Sequence, residues 1–159
     1  MSEGLLDGIR VVDITHMYAG PYCAQWLSDM GAEVIKVEAT GHGDRMRSGP
    51  PTIMKDGKLN YLFMSVNRNK RAIAVDLSTE EGRLIINKLV ERADVLLVNL
   101  RATTVEKLGL SYKQLSPINP RLVHASITGF GDKGPYKDLP GQDLQLQAMT
   151  GLMSITGYS

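Results

Sequence analysis

The stretch Ile9-Arg10-Val11-Val12-Asp13-Ile14, then Gly20-Pro21, then Gly31 and Glu33-Val34-Ile35-Lys36-Val37-Glu38 decides the fold. The first six residues are short, β-branched and followed by a turn, which predicts a buried strand. Gly20-Pro21 opens a helix, because proline suits the first helical position, where an N–H has no partner to lose. The helix is expected over about Pro21 to Met30, with Gly31 as its stop. Glu33 to Glu38 is a second strand. A strand, a helix and a strand in such close succession imply parallel pairing through a right-handed crossover.

The alternation repeats outward from there. Arg71 to Asp76 reads as a third strand, Asp94 to Asn99 as a fourth and Leu122 to Thr128 as a fifth. Ser78 with Glu81 reads as a capping box before a helix carrying Leu84, Ile85, Ile86, Leu89 and Val90 on one face. Thr103 with Glu106 and Ser111 with Gln114 read as two more boxes on short helices. A last helix is expected from about Gln142 to Met153. Residues 39–66 form a long connection with a helix near Asn60 to Met64, and so long a connection in a compact domain usually has a functional reason. The expected fold class is α/β, a Rossmann-like open, mainly parallel sheet flanked by helices, with residues 1–159 as one α/β domain.

Composition bounds the function. The 159 residues are 43% hydrophobic and 22% charged, enough for one domain with a proper core. A net charge of +1 gives no bulk electrostatic basis for nucleic acid or an anionic membrane as partner. No apolar run reaches the length of a membrane span, and Met1 to Asp7 lacks the marks of a signal peptide. Cys23 is the only cysteine, so neither an internal disulfide nor a CxxC zinc site is expected. These features predict a cytoplasmic protein.

In open α/β sheets, ligands sit beyond the carboxyl ends of the strands. After the first strand stands Thr15-His16-Met17-Tyr18-Ala19-Gly20-Pro21 in place of GxGxxG, which argues against a dinucleotide. His16 reads either as a ligand-contacting or acid–base residue, or as a histidine hydrogen-bonded at a strand end. No acidic residue, cysteine or second histidine stands at metal spacing from His16, His42 or His124, so no metal is expected. Asn67-Arg68-Asn69-Lys70-Arg71 reads either as a phosphate-binding cluster or as a solvated loop. Arg101 and Lys107 add cations near the fourth strand. Asp143 reads as an acid favoured by the dipole at its helix's start.

Several segments, in order, resemble the family III CoA-transferases, a superfamily that includes formyl-CoA transferase, carnitine CoA-transferases and alpha-methylacyl-CoA racemase. They are Leu6-Asp7-Gly8-Ile9-Arg10-Val11-Val12-Asp13, Ala19-Gly20-Pro21, Gly31 to Glu38 with Gly43-Asp44, and Asn67 to Arg71. Ala93-Asp94-Val95 leading to Asn99, Asn119 to Val123, Gly129-Phe130-Gly131, Gly134-Pro135-Tyr136 and Gln147 to Met153 complete the match. The resemblance implies that the protein moves CoA from an acyl-CoA thioester to a carboxylic acid acceptor through a covalent aspartyl intermediate. It implies coenzyme A and acyl-CoA as substrates, no permanently bound cofactor, and an interlocked homodimer in the full-length protein. The implied aspartate lies beyond the segment matching Thr156-Gly157 and is expected after Ser159. The chain is therefore expected to be an N-terminal part without its nucleophile, inactive alone.

Site residues follow from the same resemblance. Tyr18 and Ala19 are implied near the reactive end of CoA. Val75, Asp76, Leu77 and Ser78 are implied along the nucleotide, with Asn99, Leu100 and Arg101 beside them. Lys107 matches a basic position, and Pro140, Gly141, Gln142 and Asp143 are implied near the pantetheine. Ala39 departs from an arginine in relatives, and Tyr18 from a glutamine in formyl-CoA transferase. The racemase alternative needs an acid–base pair, and those relatives carry histidine where Gln142 stands. A CoA-binding module without activity is the other alternative. The last helix, with Leu144, Leu146, Met149, Leu152 and Met153, carries apolar residues around much of its circumference and is expected to need covering.

Overall fold

A computed structural model of the chain describes residues 4–48 and 60–157. Its centre is a five-stranded parallel sheet in the order β3-β2-β1-β4-β5. The strands are β1 (Arg10–Ile14), β2 (Glu33–Glu38), β3 (Arg71–Ala74), β4 (Val95–Val98) and β5 (Val123–Ser126). Asp13 pairs with Lys36 across β1–β2, and Ile14 with Val98 across β1–β4. The order reverses between β1 and β4, so their carboxyl ends diverge and leave a crevice.

Alternate residues of each strand serve opposite faces. Val12, Ile14, Leu96 and Val98 pack with Ile86 and Val90 of α3 (Glu80–Val90), Val105 of α4 (Ala102–Lys107) and Leu115 of α5 (Tyr112–Leu115). Val11, Val34 and Leu97 pack on the other face with Ala24 of α1 (Ala19–Asp29). Leu96 and Val98 are wholly buried. Each such side chain contributes about 1.5–3 kcal/mol relative to exposure.

Local details correct several expectations. Helix α1 begins at Ala19, so Pro21 is its third residue, still within the turn whose N–H groups lack partners. The cap of α3 is Thr79, whose Oγ1 accepts from the Gly82 N–H at 3.0 Å, and not Ser78, whose hydroxyl donates to Asp76. The capping box of Ser111 and Gln114 is present, but Thr103 lies inside α4 and caps nothing. On α3, Ile86 and Val90 are buried while Leu84 and Ile85 are exposed, so the apolar face is narrower than the spacing suggested. A 3-10 turn at Arg45–Arg47 and the short α2 (Tyr61–Ser65) occupy the long connection, whose residues 49–59 lie outside the described part. The last helix divides into α6 (Asp143–Met149) and α7 (Leu152–Ile155), because Gly151 adopts φ 77° between them. No described helix is long and apolar enough to cross a membrane.

Candidate functional site

Beyond the carboxyl ends of β1 to β4 opens a cleft of about 1500 Å³. The β1–α1 loop supplies His16, Met17, Tyr18 and Ala19, and the segment after β2 supplies Glu38 to Arg45 in part. Val75, Asp76, Leu77 and Ser78 follow β3, and Asn99, Leu100 and Arg101 follow β4. Pro140, Gly141, Gln142 and Asp143 close the far side. Every binding residue expected at the site lines this cleft except Lys107, which stands exposed in the last turn of α4 while Thr104 and Leu108 of that region face inward. The expected position of the nucleophile, after Ser159, has no counterpart here, since Ser159 itself lies outside the described residues.

The far wall reaches the sheet through two glycines. A Cβ built on Gly141 would lie 2.5 Å from the Gly129 Cα, so neither position admits a side chain without separating the two backbones. That crossing sets Pro140 to Asp143 against the loop that follows β5. Asp143 stands in the first turn of α6 and accepts from Gln147 Nε2 at 2.6 Å, one turn along.

Beneath the near wall lie two buried ion pairs. Lys36 Nζ is 3.0 Å from Asp44 Oδ2, and Lys70 Nζ is 3.0 Å from Asp13 Oδ2, with all four side chains nearly inaccessible. Asp44 Oδ2 accepts no hydrogen bond among the described residues, so the Lys36 charge is its compensation. Asp44 Oδ1 accepts from the N–H groups of Met17 (3.1 Å) and Met46 (3.0 Å). Lys36 also donates to the Thr15 carbonyl at 2.8 Å, and the Thr15 hydroxyl and N–H both donate to Asp13. Lys70 donates further to the Pro21 carbonyl and Asn67 Oδ1. Burial pushes the Lys70 ammonium below its ordinary pKa, and Asp13 opposes that.

Glu38 accepts from the Asp44 N–H at 2.8 Å and takes both ends of the Arg47 fork at 2.6 Å. Burial alone would raise the Glu38 carboxyl. The Arg47 and Asp44 hydrogen bonds, with the charges of Arg47 and Lys36, outweigh it and hold the group below its ordinary value. The Arg47 guanidinium also sits 3.9 Å over the Phe63 ring, joining the turn to α2.

This network corrects the reading of Asn67 to Arg71 as a phosphate cluster; Arg68, Asn69 and Arg71 lie on the surface as the solvated-loop reading expects, and of the cations Lys70 alone has a buried side chain. Arg68 pairs with Asp29, Lys70 with Asp13 and Arg71 with Glu33. The cations are committed to the chain's own carboxylates, and none of them lines the cleft. Sequence reasoning does not single out Asp13, Lys36 and Asp44 as a network. The available signal is a lysine between Ile35 and Val37 in a strand with both faces covered, since such a charge must find a partner.

His16 is held by its backbone. Its N–H donates to Asn99 Oδ1 at 3.0 Å, and its carbonyl accepts from Asn99 Nδ2 at 2.7 Å. The imidazole forms no hydrogen bond among the described residues and lines the cleft. Burial lowers its pKa against the pull of Asp44, and Arg45 and Lys36 lower it further, which favours the neutral ring. Met17 follows at φ 67°, a left-handed conformation costing a non-glycine residue about 1–2 kcal/mol. Among the described residues no three His, Cys, Asp or Glu side chains cluster to hold a metal ion.

Residues 6–159 match the sequence model of CoA-transferase family III. The chain is 45% identical to succinate–glutarate CoA-transferase of Agrobacterium fabrum over 96% of its own length and 39% of the relative's. It is 46% identical to succinyl-CoA:mesaconate CoA-transferase of Haloarcula hispanica, over 98% and 41%. Among solved structures, a CAIB/BAIF family protein from Brucella suis superposes with a TM-score of 0.89 at 44% identity, over 98% of this chain and 42% of that one. The chain thus spans about two fifths of the length of these relatives.

Proposed function

The chain belongs to CoA-transferase family III, and from that premise we propose that its cleft holds the CoA portion of an acyl-CoA whose CoA is passed to a carboxylic acid. The observation that carries this reading is the convergence of four separate segments, at Tyr18–Ala19, 75–78, 99–101 and 140–143, on one cleft at the topological switch point. Leu77, Leu100 and Leu108 give the cleft apolar stretches for a long ligand. Arg101, paired with no carboxylate among the described residues, offers a cation to its phosphates. The relatives' names support a short dicarboxylic acid as acceptor.

The transfer runs through a carboxylate on the protein. That carboxylate attacks the thioester carbonyl and expels CoA thiolate, leaving a mixed anhydride. The thiolate then attacks the protein's own acyl carbon, releasing the donor acid and forming a protein-bound CoA thioester. The acceptor acid repeats the two steps in reverse order and leaves as the new acyl-CoA. The nucleophile in this reading is an aspartate that follows Ser159 in the full-length protein. Glu38 and Asp44 are locked in the buried network, Asp76 is bonded to Ser78, and Asp143 to Gln147. Gln142, which lines the cleft, does not titrate near neutral pH, and this favours transfer over racemisation. An interlocked homodimer of the full-length protein and a reducing, cytoplasmic setting complete the reading.

Two measurements test it. Calorimetry should show CoA binding to the 159-residue chain, with no exchange of CoA between acids. In the full-length protein, Arg101→Ala should raise the KM for acyl-CoA about tenfold with kcat retained, because a phosphate contact is alike in ground and transition states. Absence of CoA binding, or a fall in kcat at unchanged KM, would overturn the respective assignment.

A further inference from the structure

We propose that Asn99 and Asp44 are positioning residues that clamp the His16–Met17 backbone from two sides and thereby aim His16 and Tyr18 into the cleft. The inference rests on the CoA-transferase reading for its kinetic consequences and on geometry for the clamp itself. Strand β1 ends at Ile14 and α1 begins at Ala19, so four residues must cross the mouth of the crevice without ladder hydrogen bonds. Asn99, just past β4, supplies two of the missing bonds to one residue, accepting from the His16 N–H and donating to the His16 carbonyl. A side-chain amide thus stands in for a neighbouring strand. Asp44, just past the β2 side, accepts from the next N–H, that of Met17. Met17 is left-handed and half-exposed, so its conformation is imposed by these bonds and not by packing of its own side chain.

One Nδ2 hydrogen and one Oδ1 lone pair of the Asn99 amide are bonded to His16, so its side chain is oriented by the loop it holds. Asp44 is anchored in turn by Lys36, which also grips the Thr15 carbonyl. The loop is therefore tied at three successive residues, Thr15, His16 and Met17, by Lys36 within β2, Asn99 just after β4 and Asp44 in the segment that follows β2. Its side chains are held at the cleft, and in the transferase reading, which sets Tyr18 near the reacting end of CoA, the effect of losing the clamp falls on that end of the ligand.

The test compares Asn99→Ala and Asn99→Asp with the wild type in the full-length protein. Asn99→Ala should lower kcat about a hundredfold, the scale of a misplacement of about 1 Å, with the KM for acyl-CoA unchanged within about threefold. Asn99→Asp keeps the acceptor for the His16 N–H and should fall between the two. A tenfold rise in KM with kcat kept would make Asn99 a ligand contact and overturn the proposal. So would an unchanged kcat per active site accompanied only by a lower Tm. Amide hydrogen exchange at His16 and Met17 reads the clamp without any substrate. Exchange at His16 should quicken at least tenfold in Asn99→Ala, and equal protection in both proteins would overturn the clamp. A wild type that neither binds CoA nor turns over acyl-CoA would refute the transferase reading, while hydrogen exchange would still decide the clamp.

Discussion

The two walls of the cleft are built on opposite principles. The near wall, from β1 through the turn after β2, buries Asp13, Lys36 and Asp44, and compensates each charge within the chain. The far wall, from Gly129 through α7, buries no residue of α6 or α7 and leaves Leu144 70% and Ile155 82% exposed. Polar groups removed from water demand partners of defined geometry, so the near wall has one arrangement. Apolar groups demand only cover, which can come from any surface of suitable shape, so the far wall is open to contact with further protein.

If that contrast is sound, substitution should separate the walls by size of effect. Lys36→Met leaves Asp44 as an uncompensated buried charge and should cost about 3–5 kcal/mol in urea unfolding. The double variant Lys36→Met with Asp44→Asn, which removes both charges and keeps an amide oxygen for the Met17 and Met46 N–H groups, should recover much of that loss. A single variant as stable as the wild type would break the comparison.

The far wall has one tight point, and its effect should rank next. Gly141→Ala pushes a methyl group into the Gly129 backbone and should cost about 1–3 kcal/mol. It should also weaken CoA binding, because Pro140 to Asp143 move with it. Gly141 is not among the positive-φ glycines, so its loss reports the crowding by Gly129. A loss below about 0.5 kcal/mol, with binding intact, would contradict the crossing.

A pH titration sharpens the near wall. Glu38 has a folded pKa below its unfolded value, so it stabilises the protein fully above the unfolded value of about 4.5, and that contribution is lost as pH falls through the folded pKa. Wild-type stability should therefore decline more steeply below pH 4.5 than that of Glu38→Gln, with the two curves converging in acid. Parallel curves would contradict the assigned shift.

The smallest effect is expected where the apolar residues are bare. Ile155→Ser or Leu144→Gln should change stability by no more than about 0.5 kcal/mol, since little burial is lost. Either should reduce self-association in light scattering. A loss above about 2 kcal/mol would mean that α6 and α7 are packed within the chain after all.

Much of the fold was legible locally. The apolar runs at Val11–Val12 and Val95 to Val98, the stop at Gly31 and the box at Ser111 and Gln114 act over a few residues, and each stands where its chemistry required. The helix-breaking Gly151 was in plain view, but the apolar period across it masked the break. The expected site segments were legible through resemblance, and the strand order then gathered them.

The sequence by itself determined the strand–helix alternation and hence a parallel sheet, because propensity, capping and crossover handedness are short-range physics. Only the tertiary structure decided which charges face the cleft. Lys70 and Arg71 read like Arg101 in the chain, yet the first two pair with carboxylates 57 and 38 positions away, while Arg101 lines the cleft and pairs with no carboxylate among the described residues. A charge takes its role from the partner that folding brings within about 3–4 Å, and that distance is set by the sheet order, not by the neighbours in sequence.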